Sequence, residues 1–434
     1  MTPAELKQLG QRILDDVAAA SRDGDGITRE SFGAGEERAL QVLEQHAAAL
    51  GLHAERDRYQ NLWLRLPQDA RPMPPVVIGS HVDSVPLGGN FDGLAGVVAG
   101  ILVLLRMRHD WQSAPPIQVL ALRGEESAWY GRAYAGSLAL LGKLPRSALA
   151  LTHRSGHGTL GQAMADSGID VDAIGRGEAL VGAGDIAAWL ELHIEQGPVM
   201  VAREWPTAVV TGIRGNIRHN RIRCIGEAGH SGAVPRWLRR DAMLAVAQLL
   251  ARMDEHWRVL LQMGMDLVMT CGICSTLPDS HAVSVIPGEV QFSFEVRSQD
   301  RDTLERFYAL MQQECNALAA ERGVRFELDE QLTSAPATMD SQWIARLSQA
   351  AIAAELSAET IPSGAGHDAA VFANAGIPAA MVFIRNANGS HNVHERMDMD
   401  DFMAGVEVLT GAIQATPVTQ VTPATPPAAA AAAA

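Results

Sequence analysis

Two short apolar runs, Val76–Ile78 and Ile117–Leu122, each lead directly into residues of the kind that ligate metals. Nothing else in the chain restricts its fold as much. The first run lies between Pro75 and Gly79 and reads as a buried strand. His81 and Asp83 follow it, then a glycine-rich loop carrying Asp92, then an apolar helix over 94–105. The second run ends in Arg123-Gly-Glu125-Glu126-Ser127. Strand, helix and strand in alternation imply a largely parallel sheet with sites at its carboxyl ends. Imidazole and carboxylate groups at such an edge are what a divalent metal needs. In adjacent carboxylates, one can ligate while its neighbour acts as general base on an activated water. The plain alternatives are that Asp92 caps the helix and that Glu125-Glu126 is an exposed acidic turn.

The rest of the chain provides for this site. Its 434 residues exceed one ordinary core, so two domains are expected. With 47% hydrophobic and 20% charged residues the composition is that of a globular protein. A formal net charge of -15 argues against a nucleic-acid surface. No apolar run reaches the ~18–20 residues of a membrane span. The first residues, Met1-Thr-Pro-Ala-Glu-Leu-Lys7, lack an apolar leader segment, so a cytoplasmic location is expected. The spacing Cys271-Gly-Ile-Cys274 lacks two further ligands for zinc and lies in an apolar run, so buried free thiols are expected, in a reducing compartment.

Along the chain, Thr2-Pro3 opens a helix and Gly51 closes a second one over 36–50. Strands are expected over 62–66 and from Ala188 on, the latter carrying His193. From about Thr207 the texture changes. Strands over 209–213 and 217–225, a long helix over 240–261, strands near 267–274 and 290–296, a helix over 303–322 and a strand over 324–328 suggest an α+β insert. The α/β texture then resumes, with helices over 341–355, 367–375 and 400–413 and a strand over 379–384. The expected division is a discontinuous catalytic domain of 1–207 and 329–415, an insert of 208–328, and a disordered Pro/Ala-rich tail of 416–434.

Two later segments add imidazoles. His193, taken singly, also reads as a core histidine. After the strand over 379–384 come His391 and His394, and spacing does not choose between them. Several imidazoles and carboxylates, each at a strand exit, favour metal catalysis.

His81-Val-Asp83, Asn90-Phe-Asp92-Gly-Leu-Ala-Gly96, Arg123-Gly-Glu-Glu-Ser127, Leu192-His-Ile-Glu-Gln-Gly197 and Gly389-Ser-His391 occur in the order found in the dinuclear metal amidohydrolases of the hydantoinase/carbamoylase group. That group holds N-carbamoyl-L-amino-acid hydrolases, allantoate amidohydrolases and β-ureidopropionases, within the aminoacylase and carboxypeptidase superfamily. The chain resembles it over about residues 5–413. The resemblance implies His81, Asp92, Glu126, His193 and His391 as ligands of two divalent ions per subunit, with Asp92 bridging, and it prefers His391 to His394. Zn2+ is the first expectation, and Mn2+, Co2+ or Ni2+ suit the same donors. It implies Glu125 as general base and Asp83 as the carboxylate that orients His81.

The resemblance also implies that the insert is a ferredoxin-like lid and dimerisation domain, giving a homodimer through 208–328. His230, in Gly229-His-Ser-Gly-Ala-Val-Pro235, would steady the tetrahedral oxyanion. Arg297 would pair with a substrate carboxylate, and Asn216, His281 and His367 would contact substrate. Without the likeness, His230 is a loop histidine, Arg297 a solvated strand end and His367 a helix cap. The chain departs from the group at Ser280-His281, where many members have Pro-Asn, and at Arg236, where Met is common; both bear on substrate choice. The implied reaction cleaves the C–N bond of a ureido group on a carboxylate-bearing small molecule, N-carbamoyl-L-amino acids first. Allantoate, ureidoglycolate and N-acyl amino acids are alternatives, and a non-catalytic ligand-binding protein is the reading from another class. The filled base and ligand positions argue against the last.

Overall fold

The apolar runs that lead into the candidate ligands lie at the centre of a nine-stranded sheet. The computed structural model describes residues 1–278 and 282–417. They form two compact units: Met1–Thr211 together with the chain from Thr338 on, and Gly212–Ala337. In the first unit the strands lie in the order Ala337–Thr338, Thr207–Ile213, Ala379–Ile384, Ala188–Ile194, Val76–His81, Ile117–Leu122, Leu62–Arg65, His53–Arg56, with Thr360–Ser363 beside Thr207–Ile213. The four central strands, Ala379–Ile384 to Ile117–Leu122, are parallel; their outer neighbours are antiparallel. Val76–His81, Ala188–Ile194 and Ala379–Ile384 are buried at every residue. Helices cover both faces of this parallel sheet, which is why 76–78 and 379–384 read as apolar runs; Ala188–Ile194 alternates in sequence yet is buried on both faces, Glu191 and His193 included. Helix Leu94–Met107 is apolar all round because it lies between the sheet and helices Pro3–Ser21 and Met399–Gln414.

The second unit runs strand Gly215–Ile225, helix Ala242–Gln262, strands Val268–Thr270 and Glu289–Ser298, helix Arg301–Arg322 and strand Arg325–Glu327. Its antiparallel sheet has the order Val268–Thr270, Glu289–Ser298, Gly215–Ile225, Arg325–Glu327, with Cys274–Thr276 and Leu332–Ser334 also paired into it. This is a ferredoxin-like βαββαβ order. Burial alternates along Glu289–Ser298, so one face carries Phe292, Phe294 and Val296 against the two helices and the other does not.

Some boundaries differ from the expected ones. The units divide after Thr211 and Ala337 rather than after 207 and 328, because Thr207–Ile213 pairs with Ala379–Ile384 in the large sheet while Leu332–Ser334 pairs in the small one. The expected strand over 267–274 is two short edge strands, so Cys271 is half-buried and Cys274 exposed; only Cys224 and Cys315 are buried thiols. Of the expected tail, Thr416 is packed, its hydroxyl bonded to Ala412 O at 2.9 Å, and 418–434 lie outside the described residues. Among the described residues no helix is long and apolar enough to cross a membrane.

Candidate metal centre

His81 is the last residue of its strand and His193 the last but one of the neighbouring strand, and Glu125 and Glu126 follow Leu122 at the same edge. The parallel register therefore brings all four to one end of the sheet. Asp92 joins them through a tight turn: Gly93, with φ 69° and ψ −55°, starts the following helix without a side-chain cap. The capping alternative for Asp92 fails here, since its carboxylate faces histidines. Its Oδ1 lies 3.0 Å from His193 Nε2 and 3.5 Å from His81 Nε2. Its Oδ2 lies 3.3 Å from His391 Nε2, and His391 Nε2 lies 3.6 Å from Glu126 Oε1. One carboxylate thus joins two potential ligand groups, His81–Asp92–His193 and Asp92–Glu126–His391.

The hydrogen bonds fix which ring nitrogens are free to ligate. His193 Nδ1 is 2.8 Å from Ile194 O, which can only accept, so the proton is on Nδ1. Its Nε2 accepts from Gly93 N at 3.2 Å and still faces an Asp92 oxygen. His81 Nδ1 similarly meets Asp83 O at 3.0 Å. Two electron-rich atoms 3.0 Å apart need a positive charge between or beside them. Gln196 Oε1, on the wall of the same cavity, is a buried acceptor with no hydrogen-bond partner. These donors fit a divalent cation, with imidazole and carboxylate ligands and backbone partners behind them.

Charge at the site is strongly perturbed. Burial, then neighbouring carboxylates, hold Glu125 well above the usual carboxylate range and push Glu126 to about 7. Asp92 is pulled well below it despite burial, by His193, His391 and His81. Asp92 raises His391 to about 9. Buried His367 is held neutral by desolvation.

Asp83 does more than face His81 Nδ1 at 3.4 Å. It is fully buried, and it accepts from Ser31 Oγ at 2.6 Å and from Glu125 N and Glu126 N at 3.0 Å each. Glu36 Oε1 takes Gly124 N at 2.9 Å, so three successive amides at the strand exit are held by buried carboxylates. Glu125, Glu126 and Tyr134 line a cavity of about 160 Å³ with His81, Asp92, His193 and His391.

The other expected site residues fall in both units. His367 begins a helix without capping it by its side chain; it is buried edge-on to His193 at 4.4 Å and 3.0 Å from Ser363 Oγ, beneath the cavity rather than on its wall. His394 is exposed and in neither ligand group. In the second unit Asn216 and Arg297 are cross-strand partners, and Arg297 Nη2 donates to Glu295 Oε1 at 2.9 Å. His230 is exposed, with Nδ1 accepting from Gly232 N at 3.1 Å. His281 lies outside the described residues. Sequence reasoning missed Ser31, Glu36, Gln196, Ser390 and Glu395. Only Gln196 and Ser390 carried a signal, since both lie inside the quoted motifs.

Residues 77–415 match the model of peptidase family M20/M25/M40. The chain belongs to that family. M20 enzymes are metal-dependent, and this chain carries donor groups that suit that chemistry. This M20 chain is 33% identical to an N-carbamoyl-L-amino acid amidohydrolase of Geobacillus stearothermophilus, over 93% of this chain and 96% of the relative. It is 31% identical to an allantoate amidohydrolase of Bacillus subtilis, over 90% and 92%. A solved hydantoinase/carbamoylase family amidase from Burkholderia ambifaria superposes with a TM-score of 0.81 at 30% identity, covering 96% of this chain and 98% of the other.

Proposed function

We propose that this M20 chain is a metal-dependent hydrolase of non-peptide C–N bonds that hydrolyses the carbamoyl group from N-carbamoyl-L-amino acids, giving the amino acid, CO2 and ammonia. The observation that carries the reading is Asp92, whose two oxygens serve separate His/carboxylate groups beside Glu125. His81, Asp92, His193, Glu126 and His391 would hold two divalent ions, Zn2+ first. Bound there, the ions would acidify water and polarise the attacked carbonyl. Glu125 takes the proton of the attacking water and returns it to the leaving nitrogen, a role suited to a carboxylate whose pKa is raised by burial. Asp83 keeps His81 in the tautomer that offers Nε2, and it fixes the backbone of Glu125.

For the rest of the substrate we propose Arg297 for the carboxylate, with Asn216 beside it; the arginine's planar fork suits a bidentate partner. His230 fits the oxyanion role, because accepting at Nδ1 leaves its proton on Nε2 to donate. His281 belongs to the same group of expected contacts. The βαββαβ unit as lid and dimerisation surface, and hence a homodimer, is part of the proposal.

The test is an ammonia-release screen of metal-loaded protein against N-carbamoyl-L-amino acids, allantoate and ureidoglycolate, with amine release from N-acetyl amino acids as a further arm. The expected result is release from N-carbamoyl-L-amino acids, lost in Glu125→Gln with metal content unchanged. Turnover of allantoate alone would move the substrate assignment. Turnover of nothing in the screen would overturn the reading.

A further inference from the structure

We infer that Glu395 is a positioning residue that clamps the loop bearing Asp92 to the loop bearing His391, and so sets the affinity of the Asp92–Glu126–His391 group for its ion. The inference rests on the two-ion reading above. Glu395 is buried, and its Oε1 accepts from Phe91 N at 2.8 Å and Asp92 N at 3.3 Å, across more than 300 residues of sequence. Its Oε2 lies 2.6 Å from Ser390 Oγ, which lies 2.7 Å from Asp92 Oδ2. One side chain therefore holds the backbone of Asp92, and through Ser390 the very oxygen that faces His391. Gly89 makes room for it: a Cβ there would sit 2.2 Å from Glu395 Oε1. From the other side Arg29 Nη1 donates to Asn90 Oδ1 at 3.0 Å, so the short Asp92 loop is held at both ends.

The clamp bears on one ligand group more than the other. His81 and His193 belong to strands and are held by Asp83 and by Ile194 O. His391 lies on a loop with its side chain 52% exposed and φ at 61°; besides its own contact with Asp92 Oδ2 and Gln196 Nε2 between them, the bonds through Ser390 and Glu395 join that loop to Asp92. The hydroxyl of Ser390 has one proton for two carboxylate oxygens. A glutamine at 395 would keep Oε1 for the two amides and donate Nε2–H to Ser390, releasing the hydroxyl proton to Asp92. The amide therefore preserves the clamp, whereas alanine removes it.

The experiment titrates Zn2+ into metal-free wild type, Glu395→Ala, Glu395→Gln and His391→Ala against a chromophoric chelator, with bound zinc counted and the metal-free melting temperature recorded. His391→Ala identifies which of two binding steps belongs to its group. In Glu395→Ala that step should weaken about 10–100-fold, as for other groups that support metal ligands. The other step should stay within about threefold, and Glu395→Gln should match wild type in both. Should the alanine variant fail to fold, Ser390→Ala must show the same one-sided weakening. Unchanged affinities, equal weakening of both steps, or a glutamine variant as impaired as the alanine one would overturn the inference. A wild type that takes fewer than two ions would instead overturn the two-ion reading.

Discussion

Replacing Gly93 by alanine should damage the site through a single methyl group. The residue has φ 69° and ψ −55°, a conformation that side chains avoid, and forcing alanine into it costs about 1–3 kcal/mol. The new Cβ would lie 2.5 Å from His81 Cε1 and 2.6 Å from Cδ2 and Cγ, squarely over the ring. Ordinary carbon contacts begin near ~3.5 Å, so the ring must retreat by about 1 Å. It has nowhere to go, being 3% exposed and held at Nδ1 by Asp83. A shift of that size in a ligand that also flanks Glu125 corresponds to roughly a hundredfold loss in kcat/KM. The metal-free protein should melt about 2–12 °C lower, at about 2–4 °C per kcal/mol. Calorimetry of the metal-free variant and initial rates of the reloaded one measure the two effects separately. A variant that melts within 1 °C of wild type and keeps half its activity would refute the geometry assigned to this turn.

Asp83→Asn replaces one accepting oxygen by a donor, whichever way the amide turns, and so orphans Glu125 N, or Glu126 N and Ser31 Oγ. Hydrogen bonds to a charged group contribute about 1.5–3 kcal/mol each, and the metal-free protein should lose about that much stability in denaturant unfolding; no loss would remove Asp83 as the holder of the strand exit. Arg297→Ala should raise KM at least tenfold for carboxylate-bearing substrates with kcat little changed, and Arg297→Lys should recover only part; an unchanged KM would place the carboxylate elsewhere. Ion binding at the Asp92–Glu126–His391 group must displace the protons held by His391, which Asp92 raises to about 9, and by Glu126, which burial raises to about 7. Ligation requires the deprotonated forms, so affinity at this group should rise with pH by up to about tenfold per unit between 7 and 9, then level off. Titration calorimetry in two buffers of different ionisation enthalpy would reveal the released protons, and a pH-independent affinity with no buffer effect would contradict the assignment.

The legibility of this chain follows from which signals are local. The runs at 117–122 and 379–384 coincide with the observed strands Ile117–Leu122 and Ala379–Ile384, because burial on both faces leaves them apolar except for half-buried Gln118, and the flanking punctuation ends them abruptly. The unit boundary was four residues off because only Arg214 separates a strand of the large sheet from one of the small sheet, and nothing in the composition marks that change of partner. Asp92 was ambiguous for a sharper reason: a helix cap and a metal ligand both call for a carboxylate ahead of an apolar helix, and only the turn at Gly93 decides where it points.

Ligand residues stand out because histidine and paired carboxylates are costly to bury, so their presence at the ends of apolar strands demands an explanation. The groups behind them give no such sign. Glu36, Ser390 and Glu395 look like ordinary loop and helix-end residues, and the partners that tie them to the site are 87 to more than 300 positions away. Yet these distant bonds hold the backbone and the Oδ2 of Asp92 and the amide of Gly124 at the strand exit. His367 is the converse case: its motif marks it as constrained, and in the fold it packs edge-on to His193 and lies 3.0 Å from Ser363 Oγ. A motif reports that a residue is constrained. Whether the constraint comes from substrate, ion or packing depends on contacts made across the fold.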